Sequence, residues 1–114
     1  MTKRQLQEEK YDWHLPSKEV LNAMYENRKR IGGFASSYYW SSSEYSSTSA
    51  WEQFFTNGLK GSNVKTYLNR VRLVRALPEG HNETERLFQV GNQDYQAYPK
   101  DAPEEMDWDD AMML

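Results

Sequence analysis

Cysteine is absent from the 114 residues of the chain. Disulfide bridges, a thiolate nucleophile and a thiolate metal site are therefore all excluded. A chain without cysteine fits a reducing compartment, and we expect a cytoplasmic protein. No run of apolar residues approaches the ~18 needed to span a bilayer, and residues 1–13 lack the apolar core of a signal peptide. We therefore expect a chain that is neither exported nor bound to a membrane.

Histidine is scarce as well. His14 and His81 are far apart in the sequence, with no spacing that suits a zinc site. The many serines lie outside any Gly-x-Ser-x-Gly elbow, and no histidine–acid pair is placed to activate one of them. The sequence thus predicts a protein that is not an enzyme, with no catalytic residue, no metal ligand and no cofactor.

An excess of positive charge is also missing, since the formal net charge is −3. This argues against direct binding of nucleic acid through overall charge. The charges are unevenly placed: residues 59–77 hold five basic residues and no acid, and residues 101–114 hold six acids and no base. Two interpretations of Arg70, Arg72 and Arg75 stay open. We favour pairing with carboxylates within the fold over contact with phosphates.

The apolar pattern predicts one main helix. Ser17 is a candidate N-cap, and apolar residues recur from Val20 at helical spacings. The helix is expected to extend to about Arg30, with Gly32 or Gly33 as its left-handed stop.

The remaining elements are predicted to be strands. Residues 38–42 and 50–56 favour extended structure, and Asn57-Gly58 is a strong hairpin signal. A further strand is expected over residues 67–77. Residues 86–98 predict a second hairpin around Gly91-Asn92. A chain of this length predicts a single domain, and the elements together predict an α+β class.

Several segments, in order, follow a widespread bacterial and phage pattern. They are Trp13-His14-Leu15-Pro16-Ser17-Lys18-Glu19-Val20-Leu21, Gly33-Phe34, Tyr39-Trp40-Ser41-Ser42-Ser43-Glu44, Ala50-Trp51, Phe55, Asn57-Gly58 and Val71-Arg72-Leu73-Val74-Arg75-Ala76. On these residues the chain resembles the Lcl C-terminal-like family, formerly a domain of unknown function, and is similar to the variable proteins of diversity-generating retroelements. The resemblance covers about residues 12–77. It implies a C-type lectin-like fold, with one main helix against a small antiparallel twisted sheet, and a habit of displaying side chains to a ligand.

This resemblance assigns roles to the alternating residues 50–56. Trp51 and Phe55 would point inward, and Gln53 stands where the family usually has an apolar residue. The outward side chains and their polar neighbours would form a ligand-binding face that recognises a protein. Its predicted members are Glu44, Tyr45, Glu52, Phe54, Thr56, Lys60, Asn63 and Lys65. The hairpin of residues 86–98, or a partner chain, is expected to cover the edge of the last strand.

The acidic C-terminal residues suggest an alternative function. We divide the chain into an N-terminal arm, residues 1–11, a domain, residues 12–98, and an acidic tail, residues 99–114. An acidic tail is usually a solubilising or self-shielding segment, and here it would fold over Arg70, Arg72 and Arg75. The residues Met106-Asp107-Trp108-Asp109-Asp110 also resemble the acidic tip of bacterial single-stranded DNA-binding protein, although that tip ends differently. The alternative is a phage-type inhibitor or adaptor, such as an anti-defence protein, that acts on a nucleic-acid-processing protein by mimicking DNA or this tip. Its predicted partner-binding residues are Asp107, Trp108, Asp109, Asp110, Met113 and Leu114.

Overall fold

A computed structural model describes residues 13–114. Within them the chain is α+β, with short helices and two small antiparallel sheets. The helices are α1 (Lys18–Glu26), α2 (Arg28–Ile31) and α3 (Trp108–Met112). The strands are β1 (Tyr38–Glu44), β2 (Ser49–Phe54), β3 (Lys60–Val64), β4 (Val74–Ala76), β5 (Leu87–Val90) and β6 (Gln93–Ala97). The predicted N-terminal arm, residues 1–11, lies outside the described residues.

Helix α1 begins where the sequence predicts. The Ser17 hydroxyl accepts a hydrogen bond from the Val20 N–H at 3.2 Å, which confirms the N-cap. The predicted single helix is interrupted at Asn27, whose side-chain amide donates to the Ala23 carbonyl at 2.8 Å and competes with the backbone ladder. A short α2 follows and ends at Gly32, where φ is +81°, a left-handed conformation that glycine adopts readily.

The first sheet has the strand order β1-β2-β3. Strands β2 and β3 form the hairpin that Asn57-Gly58 predicts, but the connection spans residues 55–59 and is longer than a two-residue turn. Gly58 has a φ of +81°, and a Cβ there would lie 2.5 Å from Cε2 of Tyr25. Glycine is therefore required at this position both by the backbone conformation and by close packing against α1.

The strand predicted over residues 67–77 is mostly wrong. Only β4 forms a regular strand, and residues 69–73 instead cross from the first sheet to the second. Asn69 pairs with Met106, Arg70 pairs with Tyr39, and the Leu73 carbonyl accepts from the Tyr98 N–H at 2.8 Å. The partners change with nearly every residue, so no single ladder can continue.

The second sheet has the strand order β4-β6-β5. Strands β5 and β6 form the predicted second hairpin, and β6 pairs with β4. The expectation that this hairpin covers an edge of the last strand is confirmed. His14 forms an isolated bridge with Val74 as well, through hydrogen bonds of 2.9 Å in both directions.

Two buried clusters hold the elements together. The first lies between α1 and both sheets and includes Leu21, Met24, Tyr39, Phe55 and Phe88. The second lies against the opposite face of the first sheet and contains Leu15, Trp40, Ala50, Val71, Trp108 and Ala111. Strand alternation explains the division, because successive residues of β1 and β2 point to opposite faces. Both faces of the first sheet are therefore covered.

Residues 99–114 differ most from their prediction as an acidic tail on an extended linker. The Ala102 N–H donates to the Val71 carbonyl at 2.8 Å, and Asn69 and Met106 exchange two backbone hydrogen bonds of 3.0 Å. Trp108 and Ala111, three residues apart on α3, are both buried in the second cluster. The acids and prolines dominate the composition of this segment, but its few apolar residues dock it onto the sheet.

Candidate ligand-binding site

The N-terminus of α1 is fixed against the end of β1. The backbone N–H of Lys18 donates to the Ser43 hydroxyl at 3.0 Å, next to the Ser17 cap. This contact places the first turns of α1 beside the face of β2 and β3 that carries Trp51 and Gln53. The helix side chains that point toward the sheet at this end form one wall of a pocket.

The pocket has a volume of about 290 Å³ and opens to solvent between α1 and strands β2 and β3. Its lining combines an aromatic ring, two lysines, two acidic residues and two side-chain amides, a mixture that suits a polar ligand better than a purely apolar one. The residues are Lys18, Glu19, Leu21, Asn22, Ser41, Trp51, Glu52, Gln53 and Lys60.

Gln53 is a polar residue that is only 2% exposed, and its side-chain amide is held in one orientation. Its Nε2 donates to the Gly58 carbonyl at 3.1 Å and to Asn22 Oδ1 at 2.9 Å. The carbonyl of Gly58 can only accept, so the amide cannot be flipped. Asn22 is oriented in the same way, because its Nδ2 donates to the Glu26 carboxylate at 3.1 Å. The Gln53 Oε1 is consequently left as an acceptor in a residue that lines the pocket.

An aromatic pair borders the pocket. Tyr45 and Trp51 meet edge to face with ring centroids 5.2 Å apart, and Tyr45 is 59% exposed. The ammonium group of Lys18 lies 4.6 Å from the centroid of the Trp51 ring, a cation–π distance. Lys60 lies opposite Gln53 in the β2–β3 register and is exposed. This arrangement places two cations and two aromatic rings around one opening.

Glu52 does not belong to the exposed face where it was predicted. It is buried, and its Oε1 accepts from the side-chain amides of Asn69 at 2.9 Å and Asn63 at 3.3 Å. Its carboxylate points to the face opposite Trp51 and Gln53, as alternation along β2 requires. The physical reason is that residues 99–114 cover this face. Asn63 is likewise engaged, since its Oδ1 accepts from the Val64 N–H at 2.8 Å.

The other predicted ligand-binding residues are dispersed. Phe54 is half-buried and stacks on Tyr38 with centroids 4.5 Å apart. Thr56 is exposed in the turn between β2 and β3. Glu44 pairs with Lys65 at 2.7 Å, and the Lys65 ammonium also lies 4.5 Å from the Trp108 ring centroid. Of the predicted set, Tyr45 and Lys60 are therefore the exposed members nearest the pocket.

The predicted partner-binding residues of the acidic segment separate into two groups. Trp108 is buried and its indole Nε1 donates to the Ser41 carbonyl at 2.9 Å, so its ring is not available to a partner in this conformation. Asp107 caps α3 by accepting from the Asp110 N–H at 2.9 Å. Asp109, Asp110, Met113 and Leu114 are exposed. A free acidic tip is not what the structure contains.

Arg72 and Asp101 form a buried ion pair. The Arg72 side chain has no exposed surface, and its Nε donates to Asp101 Oδ1 at 2.8 Å. Asp101 also accepts from the Tyr39 hydroxyl. Burial, together with this hydrogen bond, raises the pKa of Tyr39 well above its ordinary value, so that the phenol remains a donor. Arg75 pairs with Glu83 at 3.6 Å. These contacts confirm pairing with carboxylates for the arginines, although the partners lie outside the sheets.

Comparisons with known proteins do not assign the chain to a family. No family model matches the chain, and neither does any curated protein or solved structure. Among residues 13–114, no three or more histidine and acidic side chains are grouped so that they could hold a metal ion. The longest helix in the same range, α1, has nine residues, and none is long and apolar enough to cross a membrane.

Sequence reasoning missed the pocket, although it noticed one of its members. Gln53 is a polar residue at a strand position where the pattern calls for an apolar one. A buried amide at such a position needs hydrogen-bond partners, and this requirement points to polar neighbours on the facing helix. Asn22 on α1 is such a neighbour, since its Oδ1 accepts from the Gln53 amide. Lys18 lies four residues before Asn22, on the same side of the helix.

Proposed function

We propose that the chain is a non-enzymatic binding module that recognises a protein through the pocket and the adjoining Tyr45–Trp51 pair. The observation that carries this proposal is an open pocket of about 290 Å³ bordered by an exposed tyrosine on a partly exposed tryptophan. Large aromatic rings with few rotatable bonds give contact area at low entropic cost, which is why they are enriched in protein-binding surfaces.

The resemblance to the Lcl C-terminal-like family supports the same proposal. The proposal includes membership of that family, its C-type lectin fold and a phage or bacterial origin. It also includes a location in the cytoplasm of a bacterium or an infected bacterium. The α+β class and the packing of α1 against an antiparallel sheet are compatible with such a fold. A fold alone does not define a ligand, and the ligand has to be argued from the site.

The alternative function, inhibition of a nucleic-acid-processing protein by acidic mimicry, has one supporting observation. Four acids of the C-terminal segment, Glu104, Glu105, Asp109 and Asp110, are exposed on the surface. Burial of Trp108 counts against mimicry of a flexible tip, because the aromatic residue of the motif is part of the second cluster. We therefore rank this function second.

One selection experiment tests both functions. A phage-displayed library of random peptides is panned against the full chain, and enriched peptides are measured by fluorescence anisotropy on variants. Tyr45→Ser should weaken binding at least about tenfold, the effect of losing one well-packed aromatic contact. Tyr67→Ser is the matched control, because Tyr67 is 51% exposed and lies outside the pocket lining.

The outcomes are distinct. Loss of binding in Tyr45→Ser alone supports the aromatic pair as the recognition surface. Equal affinity of wild type and Tyr45→Ser contradicts the proposal. Loss confined to a variant with Asp109→Asn and Asp110→Asn would support the acidic alternative, and these exposed substitutions leave the buried Trp108 in place.

A further inference from the structure

The two lysines of the pocket have no ion-pair partner. Lys18 and Lys60 both line it, and no described residue forms an ion pair with either ammonium group. Of the two acidic residues that line the pocket, Glu19 lies on the same side as the lysines, whereas the Glu52 carboxylate is held on the other side of the sheet by Asn63 and Asn69. The N-terminus of α1 adds positive partial charge at the same end. An anionic group is therefore favoured near the two lysines.

The same pocket also presents a fixed acceptor. Gln53 uses both N–H groups of its amide on Gly58 and Asn22, and no described residue donates to its Oε1. This oxygen keeps contact with solvent, so a ligand that supplies an N–H at this point can replace the hydrogen bond from water. The pocket is thus complementary to a ligand that carries two groups, an anion and a hydrogen-bond donor.

We propose that the pocket takes a carboxylate adjacent to a secondary amide, presented by a peptide segment of the partner protein. The carboxylate lies between Lys18 and Lys60, and the amide N–H donates to Gln53 Oε1. Such a group occurs at an acidic residue within a chain and at the last residue of a chain, and both present the same chemistry. The inference rests on the proposed function and specifies what the recognised segment must contain.

Ligands with other charged or polar groups fit the pocket less well. Sulfate offers only acceptor oxygens at neutral pH, and these would face the Gln53 oxygen without a hydrogen bond. A glutamine side chain has the shape of glutamate but carries no charge, so its hydrogen bonds with ammonium groups are weaker. A cationic side chain meets two lysines against one free glutamate. Discrimination by charge and by the N–H donor can therefore be measured separately.

The test is a titration of the ¹⁵N-labelled full chain with four small probes. They are N-acetylglutamate N-methylamide, its glutamine counterpart, N-acetylalanine with a free carboxylate, and sulfate. The side-chain amide of Gln53 and the indole N–H of Trp51 report on the pocket. We expect saturable shifts with N-acetylglutamate N-methylamide, with N-acetylalanine, or with both, and roughly tenfold weaker binding of the glutamine probe. Comparison of N-acetylglutamate N-methylamide with N-acetylalanine distinguishes an internal acidic residue from a chain end.

Variants locate the charge dependence. Lys60→Gln and Lys18→Gln should each weaken the carboxylate probe severalfold, and Glu19→Gln should strengthen it, because it removes the opposing charge. Lys29→Gln is the matched control: Lys29 is exposed on α2 and does not line the pocket, so binding should be unchanged. Equal binding of the glutamine or sulfate probe would overturn the proposal, and so would the absence of any shift. If library peptides still depend on Tyr45, the proposed function survives that failure, and the two results are distinguishable.

Discussion

Replacing Asp101 by asparagine tests whether residues 99–114 are held to the fold by a buried charge. Arg72 has 0% of its side chain exposed and Asp101 has 12%, and they meet at 2.8 Å. Asparagine keeps the shape of the side chain but leaves the guanidinium without a counter-ion. Removing one partner of a buried ion pair costs about 3–5 kcal/mol. For a domain of this size, that corresponds to a fall in Tm of roughly 10–20 °C.

The cost should fall on Arg72 because its other contacts cannot neutralise it. Its Nη1 donates to the carbonyls of Gly32 and Tyr98, each at 3.1 Å, and its guanidinium lies 4.3 Å from the Phe34 ring centroid. These partners orient the group but carry no formal charge. Its Nη2 is buried with no hydrogen-bond partner among the described residues. The carboxylate of Asp101 is therefore the main compensation for burying the cation.

Arg70 provides a matched control for this prediction. Its Nη1 lies 3.9 Å from Asp101 Oδ2, but 40% of its side chain is exposed. Arg70→Gln should therefore cost less than about 1 kcal/mol, as expected of a solvated pair. Urea unfolding followed by tryptophan fluorescence gives both free energies of unfolding. Equal losses in Asp101→Asn and Arg70→Gln, or a loss below 1 kcal/mol in Asp101→Asn, would refute the assignment of a buried, uncompensated charge.

Two further predictions concern the turns. Gly58→Ala should cost about 2–3 kcal/mol in unfolding free energy, since it adds a clash with Tyr25 to the strain of a positive φ; Gly80→Ala, with φ of +80° and nothing within 4 Å of its Cβ, should cost less, and equal Tm values would argue against the clash. Hydrogen bonds from His81 and Gln89 lower the pKa of Asp94 below its ordinary 3.8, so its stabilising contribution is present above that pH and is lost as the pH falls through the lowered value. The Tm of wild type should thus exceed that of Asp94→Asn at pH 7 and approach it below about pH 3.8; a constant difference measured by circular dichroism would contradict this.

Local signals in the sequence predicted the local structure well. Ser17 as a cap, Gly32 as a stop and Gly91-Asn92 as a tight turn depend on backbone chemistry within a few residues, and each is found. The break at Asn27 was missed, because helical periodicity reports which face is apolar and not whether a side-chain amide shares a backbone acceptor, as the Asn27 amide shares the Ala23 carbonyl with its own backbone N–H.

Long-range docking could not be predicted from composition. The acids and prolines of residues 99–114 are typical of a solvated tail, but Trp108 and Ala111 bury against Trp40 and Val71, which lie far away in sequence. The docking of residues 99–114 also determines which face of the first sheet is open to a ligand. It buries Glu52, which alternation alone places on an outer face, and so leaves the side facing α1 as the open one.

The composition of the second cluster has a consequence for how the chain is made. Trp108 donates to the Ser41 carbonyl across 67 positions of sequence, and Leu15 belongs to the same cluster. A ribosome delivers Leu15 and Trp40 long before Trp108 and Ala111, so this half of the interior cannot close during most of synthesis. Until then one side of the first sheet is bare apolar surface, which is the kind of nascent chain that chaperones bind. Folding should accordingly be completed after translation has passed residue 111, and slowly for a domain of this size.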